Sequence, residues 1–262
     1  MARGRDREGA AGAPRGVLVT FEGGDGAGKS THIRFLARAL ADAGREVVSL
    51  REPGGTAVGE SLRALVLDPA NEGLADTAEL LIYEAARAQL VAEVIRPALE
   101  RGAVVLCDRF SDSTVAYQVA GRGLDAAFVD AANAFATGGI APDRTLVLTA
   151  GDGRSTLGRA THGTAGDRLE RAGDAFHARV NEAFLELARR EPGRVRVVDS
   201  SGARSATAAQ VFASLSDLFP WMADVARADG SYFSVLDDKR ALAAWLDRPA
   251  GPAAPAEGAA RA

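Results

Sequence analysis

A phosphate-binding loop constrains this sequence more than any other feature. Residues 23–30 read Gly-Gly-Asp-Gly-Ala-Gly-Lys-Ser, a full match to G-x-x-x-x-G-K-[ST], and they directly follow the apolar run at residues 16–21. In this pattern the glycines let backbone N–H groups converge on phosphate oxygens, the lysine reaches the β- and γ-phosphates, and the serine hydroxyl can ligate Mg²⁺. An ordinary glycine-rich turn would not explain a lysine at a helix N-terminus, where positive charge opposes the helix dipole. We therefore predict a nucleotide-phosphate site at residues 23–31.

Composition narrows the class of protein that carries this loop. The chain has 262 residues, is 47% hydrophobic and 25% charged, and has a net charge of −4, which suits one α/β domain. The negative net charge argues against a nucleic-acid polymer or a membrane surface as a partner. The single cysteine, Cys107, lies in an apolar run, where we expect a small buried hydrophobe, and the three histidines lack zinc-ligand spacing. With no apolar stretch of signal-peptide or membrane-spanning length, we expect a cytoplasmic protein.

Strand-like and helix-like segments alternate along the chain. This alternation predicts a parallel sheet covered by helices on both faces, with its ligand site at the carboxyl ends of the strands. The predicted strands cover residues 16–21, 46–50, 103–107, 144–148 and 195–198, and the predicted helices cover residues 32–43, 78–101 with a break or bend near Pro97, 125–137, 175–190, 206–225 and 236–246.

The two ends of the chain differ in composition from the middle. Residues 1–15 mix arginines with acidic residues, glycine and alanine without apolar periodicity, which predicts a disordered arm. A transit peptide is the alternative reading, but the acidic residues and the lack of serine weigh against it. Residues 16–225 form the predicted P-loop domain. Residues 226–262 form a C-terminal extension that we expect to be mostly disordered, because the end from Pro249 is rich in alanine, proline and glycine.

Two further phosphate-handling signals lie where predicted strands end. Asp108 and Arg109 follow the third strand, the position at which a Walker-B-type acid meets the metal in P-loop enzymes. Ser30 and Asp108 are therefore the candidate metal ligands. Arg51 follows the second strand and precedes Glu-Pro-Gly-Gly-Thr, a stiff turn that leaves its guanidinium able to bind a phosphate with two hydrogen bonds.

A fourth cluster suits a nucleobase. Tyr83 and Arg87 are one helical turn apart and share a helix face. The ring can stack on a base while the guanidinium bonds a carbonyl oxygen. The segment Ser-Thr-Val-Ala-Tyr-Gln at residues 113–118 adds hydroxyl and amide groups close to the same pocket. An ordinary half-buried helix face would explain Tyr83 and Arg87 alone equally well.

Taken in order, these motifs resemble the thymidylate kinase family. They are the phosphate loop with an embedded acid, Arg-Glu-Pro-Gly-Gly-Thr at residues 51–56, Tyr-Glu-Ala-Ala-Arg-Ala-Gln at 83–89, Asp-Arg-Phe-Ser-Asp-Ser-Thr-Val-Ala-Tyr-Gln at 108–118, and Asp-Arg-Leu-Glu at 167–170. The resemblance covers about residues 16–220. It implies a nucleoside monophosphate kinase architecture, transfer of the ATP γ-phosphoryl group to dTMP to give dTDP, a requirement for Mg²⁺, and a homodimer.

The resemblance also implies a role for each matched residue. Asp25 would hold the region of the deoxyribose 3′-hydroxyl, Arg51 and Arg109 would clamp the dTMP phosphate, and Tyr83 would stack on thymine, where the family more often has phenylalanine. Arg87 would bond thymine O4, with Thr114, Tyr117 and Gln118 completing the substrate pocket. The implied ATP-binding residues are Gly23, Gly24, Asp25, Gly26, Ala27, Gly28, Lys29, Ser30 and Thr31, and the implied catalytic residues are Lys29, Asp108, Arg109, Arg168 and Arg159.

The lid, at about residues 151–170, departs from the family pattern. In the family a basic residue reaches the transferred group from the phosphate loop or from a mobile lid, and Gly26 occupies the loop position here, so we expect the arginine on the lid. The lid is poor in arginine, and Arg159 and Arg168 are the candidates. Arg168 is favoured because it keeps the local Asp-Arg-Leu-Glu pattern.

Two other functions remain open from the sequence alone. One is a kinase of another nucleotide or of a nucleoside on the same fold. Arg51, Tyr83 and Arg87 together favour a pyrimidine monophosphate over it. The other is a nucleotide-binding module with weak turnover, which only the arginine-poor lid favours.

Overall fold

A parallel sheet forms the centre of the molecule. The structure is a computed structural model that describes residues 15–149, 167–228 and 230–248. Within these residues five strands pair in the order β2-β3-β1-β4-β5, all parallel. The strands are β1 (Val17–Glu22), β2 (Val47–Arg51), β3 (Val104–Asp108), β4 (Arg144–Thr149) and β5 (Val195–Asp199). The predicted fold class and all five predicted strands are confirmed, with boundaries shifted by at most one residue.

Helices cover both faces of this sheet. They are α1 (Lys29–Asp42), α2 (Ala57–Leu67), α3 (Asp76–Leu90), α4 (Arg96–Glu100), α5 (Ser111–Thr114), α6 (Ala126–Thr137), α7 (Asp174–Arg190), α8 (Arg204–Leu215), α9 (Trp221–Arg227), α10 (Ser231–Ser234) and α11 (Lys239–Leu246). Wider π-type turns cover Val91–Ile95 and Val115–Gly121, and 3₁₀ turns cover Pro69–Asn71, Glu170–Ala172 and Val235–Asp237. None of the helices in the described part of the chain has the length and apolar character needed to cross a membrane.

The core lies on the two faces of the central strand. Because successive strand side chains point to opposite faces, Val19 and Phe21 pack in a cluster with α1 and α8, whereas Leu18 packs in another cluster with α3 and α4. Cys107 is fully buried in the second cluster as a free thiol, as predicted. The sheet is therefore buried on both sides, and ligands have access to its carboxyl edge.

Prolines explain where two of the predicted helices are interrupted. The long helix is interrupted at Val91–Ile95, just before Pro97, which confirms the predicted break. Proline cannot donate the backbone hydrogen bond that a regular turn requires. The single closing helix predicted at residues 206–225 is wrong, because α8 ends at Leu215 and α9 begins after Pro220.

The C-terminal extension is helical where the structure describes it. Trp245 of α11 stacks on Phe35 of α1 with 4.6 Å between ring centroids, and Phe233 joins the same core cluster. The prediction that residues 226–262 are mostly disordered is therefore wrong for residues 226–228 and 230–248, since buried aromatic rings hold them to α1. The residues outside the described part of the chain are 1–14 of the predicted arm, 151–166 of the predicted lid, 249–262 of the extension, and the single residues 150 and 229.

Candidate functional site

The phosphate loop, which we call the cradle (residues 23–31), joins β1 to α1. Gly23, Gly26 and Gly28 have φ values of 118°, 76° and 91°, in the left-handed region that side chains other than glycine disfavour. A Cβ on Gly23 would lie 2.1 Å from the carbonyl oxygen of Leu148 on β4. The glycines are thus required both for the backbone path and for close contact with the sheet.

Lys29 lies at the start of α1 with its ammonium folded back over the cradle. Its Nζ donates to the carbonyl oxygens of Gly23 and Gly24, both at 3.0 Å, and lies 3.9 Å from Asp25. Burial lowers the pKa of Lys29 to about 8, and the nearby Arg109 contributes to the shift. The amine still carries its charge at neutral pH, and phosphate oxygens could replace the carbonyl oxygens as its acceptors.

Ser30 and Asp108 meet beside the cradle. The Ser30 hydroxyl donates to the Asp108 carboxylate at 3.0 Å. Strand pairing explains the meeting, because Asp108 ends β3 opposite Phe21 of β1, just before the cradle. A hydroxyl and a carboxylate oxygen at this distance form the oxygen-rich donor set that Mg²⁺ prefers.

Arg109 connects the cradle to the opposite side of the cavity. Its Nη2 donates to Asp25 Oδ1 at 2.9 Å, and its guanidinium carbon lies 5.1 Å from the centroid of the Tyr117 ring. Burial alone would raise the pKa of Asp25, but Arg109 and Lys29 outweigh it and hold that pKa below its ordinary value. Arg109 itself has a φ of 71°, the one positive φ at a non-glycine residue in the described chain. The carboxylate of Asp25 is therefore kept ionised between two cations.

A cavity of about 430 Å³ extends from the cradle past Arg109. Arg63, which the sequence analysis missed, lines it from α2 and donates to the Pro53 carbonyl at 3.0 Å. Most of the predicted site residues line the same cavity: Asp25, Gly26, Gly28, Lys29, Ser30, Thr31, Arg51, Tyr83, Arg87, Asp108, Arg109, Thr114, Tyr117 and Gln118. The predicted residues Gly23, Gly24 and Ala27 belong to the cradle without lining the cavity. The structure thus brings the four sequence signals into one pocket.

Arg51 lies at the mouth of this cavity. Its Nη1 donates to the Pro53 carbonyl at 2.9 Å and its Nη2 donates to Glu60 at 2.9 Å, and its side chain is 47% exposed. Glu60 also accepts from Gly55 N–H at 2.7 Å. Because the Arg51 pair is exposed, an incoming phosphate can compete with Glu60 at small cost.

Arg87, in contrast, is buried and makes four hydrogen bonds to protein acceptors. Nε donates to Glu52 at 2.9 Å, and Nη1 donates to Glu84 at 2.7 Å and to Asn133 at 2.8 Å. The longest of the four bonds runs from Nη2 to the carbonyl oxygen of Phe110, at 3.2 Å, and Nη2 also lies 2.8 Å from Glu52 Oε2 as an ion pair. Burial raises the pKa of Glu52 to about 7, with Arg87 opposing the shift. We call Glu52, Glu84, Arg87 and Asn133 the Arg87 cluster.

Of the remaining predicted base-pocket residues, Tyr83 is half-buried and Thr114, Tyr117 and Gln118 are buried. Burial raises the pKa of Tyr83 above its usual range, so its hydroxyl stays neutral. Gln118 donates from Nε2 to Glu79 at 2.7 Å, which fixes the direction of its amide. Thr114 is 2% exposed, and burial raises the pKa of Tyr117 to about 12.

Arg168, which we predicted to act on the transferred group, is not among the side chains that line the cavity, and that role stays a prediction. The side chain is buried, donates from Nε to the Val66 carbonyl at 2.9 Å, and forms an ion pair with the buried Glu79. Glu79 also binds Arg122 at 2.9 Å. Arg168 therefore links the end of the lid to α2 and α3. The other candidate, Arg159, lies outside the described residues, and its role stays a prediction.

Five residues of this region were missed by the sequence analysis. Arg63 lies on α2, a helix that was not predicted, although Thr56 at its N-cap accepts from Gly59 N–H and could have signalled it. The other four are polar residues whose partners are mostly distant in sequence. Glu22, Glu52 and Asn133 contact residues 35 to 91 positions away. Glu84 contacts Arg87, three positions away, within the Arg87 cluster. No local pattern marks such contacts.

Comparisons with known proteins give a consistent result. A sequence model of the family described as Thymidylate kinase matches residues 21–211. The chain is 50% identical over 196 residues to the thymidylate kinase of Gloeobacter violaceus, covering 74% of this chain and 92% of that protein. It is 48% identical over 214 residues to that of Pseudomonas fluorescens, covering 81% and 99%. The crystal structure of thymidylate kinase from Ehrlichia chaffeensis superimposes with a TM-score of 0.62 at 32% identity, over 77% of this chain and 99% of that one.

Proposed function

The chain belongs to the thymidylate kinase family and transfers the γ-phosphoryl group of ATP to dTMP, giving dTDP and ADP, and from this premise we propose how its residues divide the reaction. The cradle and Asp108 form a donor side, which binds ATP. Arg51, Arg109 and the pocket around Tyr83 form an acceptor side, which binds dTMP. The observation that supports this division is the single cavity that runs from Lys29 and Ser30 past Arg109 to Tyr83 and Gln118.

On the donor side, backbone N–H groups of residues 23–31 bind the phosphate chain. Lys29 exchanges the carbonyl oxygens of Gly23 and Gly24 for β- and γ-phosphate oxygens. This exchange costs little, because a neutral carbonyl is a weaker acceptor for an ammonium than a charged phosphate oxygen. Lys29 thereby neutralises the negative charge that moves from the γ- to the β-phosphate during the transfer.

Mg²⁺ fits beside Ser30 and Asp108. The Ser30 hydroxyl and the Asp108 carboxylate lie within hydrogen-bond distance of each other and next to the cradle. We assign both residues as the protein groups that hold the ion. When bound, Mg²⁺ would neutralise phosphate charge and orient the β- and γ-phosphates.

On the acceptor side, Arg109 holds the dTMP phosphate and Arg51 joins it at the mouth of the cavity. Arg109 is 16% exposed and is oriented by Asp25, which also marks the place of the deoxyribose 3′-hydroxyl region. Arg51 contributes after leaving Glu60. Two guanidinium groups on one phosphate align its attacking oxygen with the γ-phosphate, and phosphoryl transfer needs no side-chain nucleophile.

The thymine base stacks on Tyr83 with Thr114 and Gln118 at its edge. Arg87 faces the O4 side, but its guanidinium already makes four hydrogen bonds and an ion pair within the protein. Thymine O4 therefore shares the Nη2 donor that now points to the Phe110 carbonyl, the longest bond of the set. The other members of the Arg87 cluster hold the guanidinium and thereby fix the position of this donor in the pocket.

A homodimer forms through the outer faces of α3 and α6. These faces expose Leu81 on α3 and Phe128 and Phe135 on α6, with Phe135 92% exposed. Large apolar side chains grouped on neighbouring helices are typical of an interface between subunits. Sedimentation should give a dimer for the native chain and a monomer for Phe135→Asp, and a native monomer would contradict this assignment.

The protein works in the cytoplasm, where ATP and dTMP are available and a buried thiol such as Cys107 stays reduced.

The reaction assignment is tested by a panel of acceptors. Initial rates of ADP release are measured with ATP and Mg²⁺ against dTMP, dUMP, dCMP, dAMP and dGMP. The highest kcat/KM is expected for dTMP, and Arg51→Ala should lower it for every monophosphate by about tenfold, because it removes a phosphate contact without touching the base. Arg101→Ala, which alters an exposed arginine outside the cavity, is the matched control. ADP release that does not depend on dTMP would contradict the assignment.

A further inference from the structure

Glu22 is a buried carboxylate to which neither the sequence motifs nor the proposed reaction gives a role. It is the last residue of β1, directly precedes the cradle, and has no exposed surface. Burial raises the pKa of Glu22 to about 7, and Arg109 opposes the shift. A carboxyl group in such a place is costly unless its surroundings compensate for the burial.

Three contacts of the Glu22 carboxylate fall on one five-residue turn. Its Oε1 accepts from the backbone N–H of Phe110 at 2.9 Å, and its Oε2 accepts from the Ser113 hydroxyl at 2.6 Å. The Arg109 guanidinium lies 4.0 Å from Oε2. Residues 109–113, which follow Asp108 and which we call the DR turn, are therefore held in place by a single side chain of the neighbouring strand.

The DR turn needs such support because its backbone is strained. Arg109 has a φ of 71°, a conformation that non-glycine residues disfavour and that persists only when surrounding contacts enforce it. The bond from Phe110 N–H to Glu22 lies immediately after the strained residue. It holds the backbone in the conformation that aims the Arg109 side chain at Asp25 and the cavity.

The opposite side of the turn is held by a different network. Asp112 binds Arg194 at 2.7 and 2.9 Å and the Thr145 hydroxyl at 2.6 Å. These contacts anchor the turn to β4 and to the segment before β5, away from Arg109. The two networks use different hydrogen bonds, so a different substitution weakens each of them.

We propose that Glu22 is a positioning residue that acts on dTMP binding through Arg109, by fixing the DR turn and facing the guanidinium with its carboxylate. The proposal rests on the proposed role of Arg109 as the clamp of the acceptor phosphate. A neutral glutamine could still accept from Phe110 N–H, but it would lose the charge beside Arg109 and the acceptor for the Ser113 hydroxyl. The carboxylate is thus the part of the side chain that the proposal requires.

Glu22→Gln tests the proposal in a double-mutant cycle with Arg109→Ala. In the native background the substitution should lower kcat/KM for dTMP by about tenfold, chiefly through KM, and change KM for ATP less than about twofold, because Glu22 is coupled to Arg109 and not to the ATP-binding residues. In the Arg109→Ala background the same change should lower kcat/KM by less than about threefold. Ser113→Ala removes one of the two hydrogen bonds of Glu22 and should raise KM for dTMP by a smaller factor. This variant replaces Glu22→Gln in the test if Glu22→Gln does not fold.

Asp112→Asn is the matched control for loosening of the DR turn. It should lower Tm while leaving the ratio of KM for dTMP to KM for ATP within about twofold of the native value. Equal losses from Glu22→Gln in both backgrounds, or an Asp112→Asn profile identical to that of Glu22→Gln, would overturn the proposal and leave the role of Arg109 intact. An Arg109→Ala variant with unchanged KM for dTMP would overturn both the clamp and the action of Glu22 through it.

Discussion

The donor side and the acceptor side of the cavity are built in opposite ways. The cradle takes its groups from nine consecutive residues and holds them by backbone conformation, with Lys29 bound to carbonyls five and six positions before it. The acceptor side is held by charged pairs between distant segments, such as Arg109 with Asp25, 84 positions apart, and Arg87 with Glu52, 35 positions apart. The first side is a local motif, whereas the second exists only in the folded chain.

This difference has an energetic consequence. Loss of a cradle side chain removes a contact to the nucleotide but leaves the fold intact, because the backbone supplies most of the structure. Loss of one partner on the acceptor side leaves a buried charge unpaired. Substitutions on the donor side should therefore act on turnover, and many on the acceptor side should act on stability as well.

The largest expected effect belongs to the donor side. Lys29→Ala should lower kcat by about 10²-fold or more, because the missing charge matters most as phosphate charge redistributes, while dTMP affinity changes less than about threefold. Steady-state rates and equilibrium binding separate the two quantities. Lys239→Ala is the matched control, since Lys239 is exposed at the start of α11 and should leave both unchanged. Near-normal kcat in Lys29→Ala would contradict the donor-side assignment.

On the acceptor side, the Arg87 cluster should dominate stability. Arg87→Met should lower the free energy of unfolding by about 3–5 kcal/mol, because Glu52 and Glu84 are left buried without their cation. Adding Glu52→Gln and Glu84→Gln should recover most of this loss in denaturant unfolding. Arg101→Met, which breaks an exposed pair with Glu46, should cost less than about 1 kcal/mol. If the triple variant were no more stable than Arg87→Met, unpaired charge would not be the cause.

The contrast between the two sides also explains what the sequence could predict. The cradle, the five strands and most helices follow from motifs and periodicities within windows of about ten to fifteen residues. The acceptor-side residues were found through the family resemblance, and their partners were not, because Glu22, Glu52 and Asn133 look like ordinary strand, loop and helix residues. Arg168 shows the limit of a matched motif, since Glu79, far away in sequence, decides where its side chain lies.

A smaller effect is expected from the titration of Glu52. Its pKa is raised to about 7 in the folded chain from the ordinary 4.5, so between these values the folded protein binds more protons than the unfolded one. Stability should therefore fall as pH rises from about 5 through about 7. Glu52→Gln should reduce this slope of Tm against pH. Part of the slope should remain, because the pKa of Glu22 is also raised in the folded chain. The exposed Glu46→Gln is the control, and identical slopes in Glu52→Gln and the native chain would contradict the raised pKa.

The smallest expected effect is that of Tyr83→Phe. The ring supplies the stacking surface, and the buried hydroxyl stays neutral across the accessible pH range. KM for dTMP should change less than about threefold, whereas Tyr83→Ala should raise it by about tenfold or more, since stacking is worth about 1–3 kcal/mol per base. A tenfold loss in Tyr83→Phe would show that the hydroxyl, and not the ring, recognises the substrate.

The division into two sides is tested most directly by the affinity of dTMP relative to that of thymidine, which lacks the phosphate. The ratio is measured by calorimetry without ATP for the native chain, Arg109→Ala and Lys29→Ala. The ratio should fall by about tenfold or more in Arg109→Ala, because a buried charge-assisted contact to the phosphate is lost, and stay within about threefold of the native value in Lys29→Ala. An unchanged ratio in Arg109→Ala, or an equal fall in both variants, would contradict the assignment of the acceptor phosphate to Arg109.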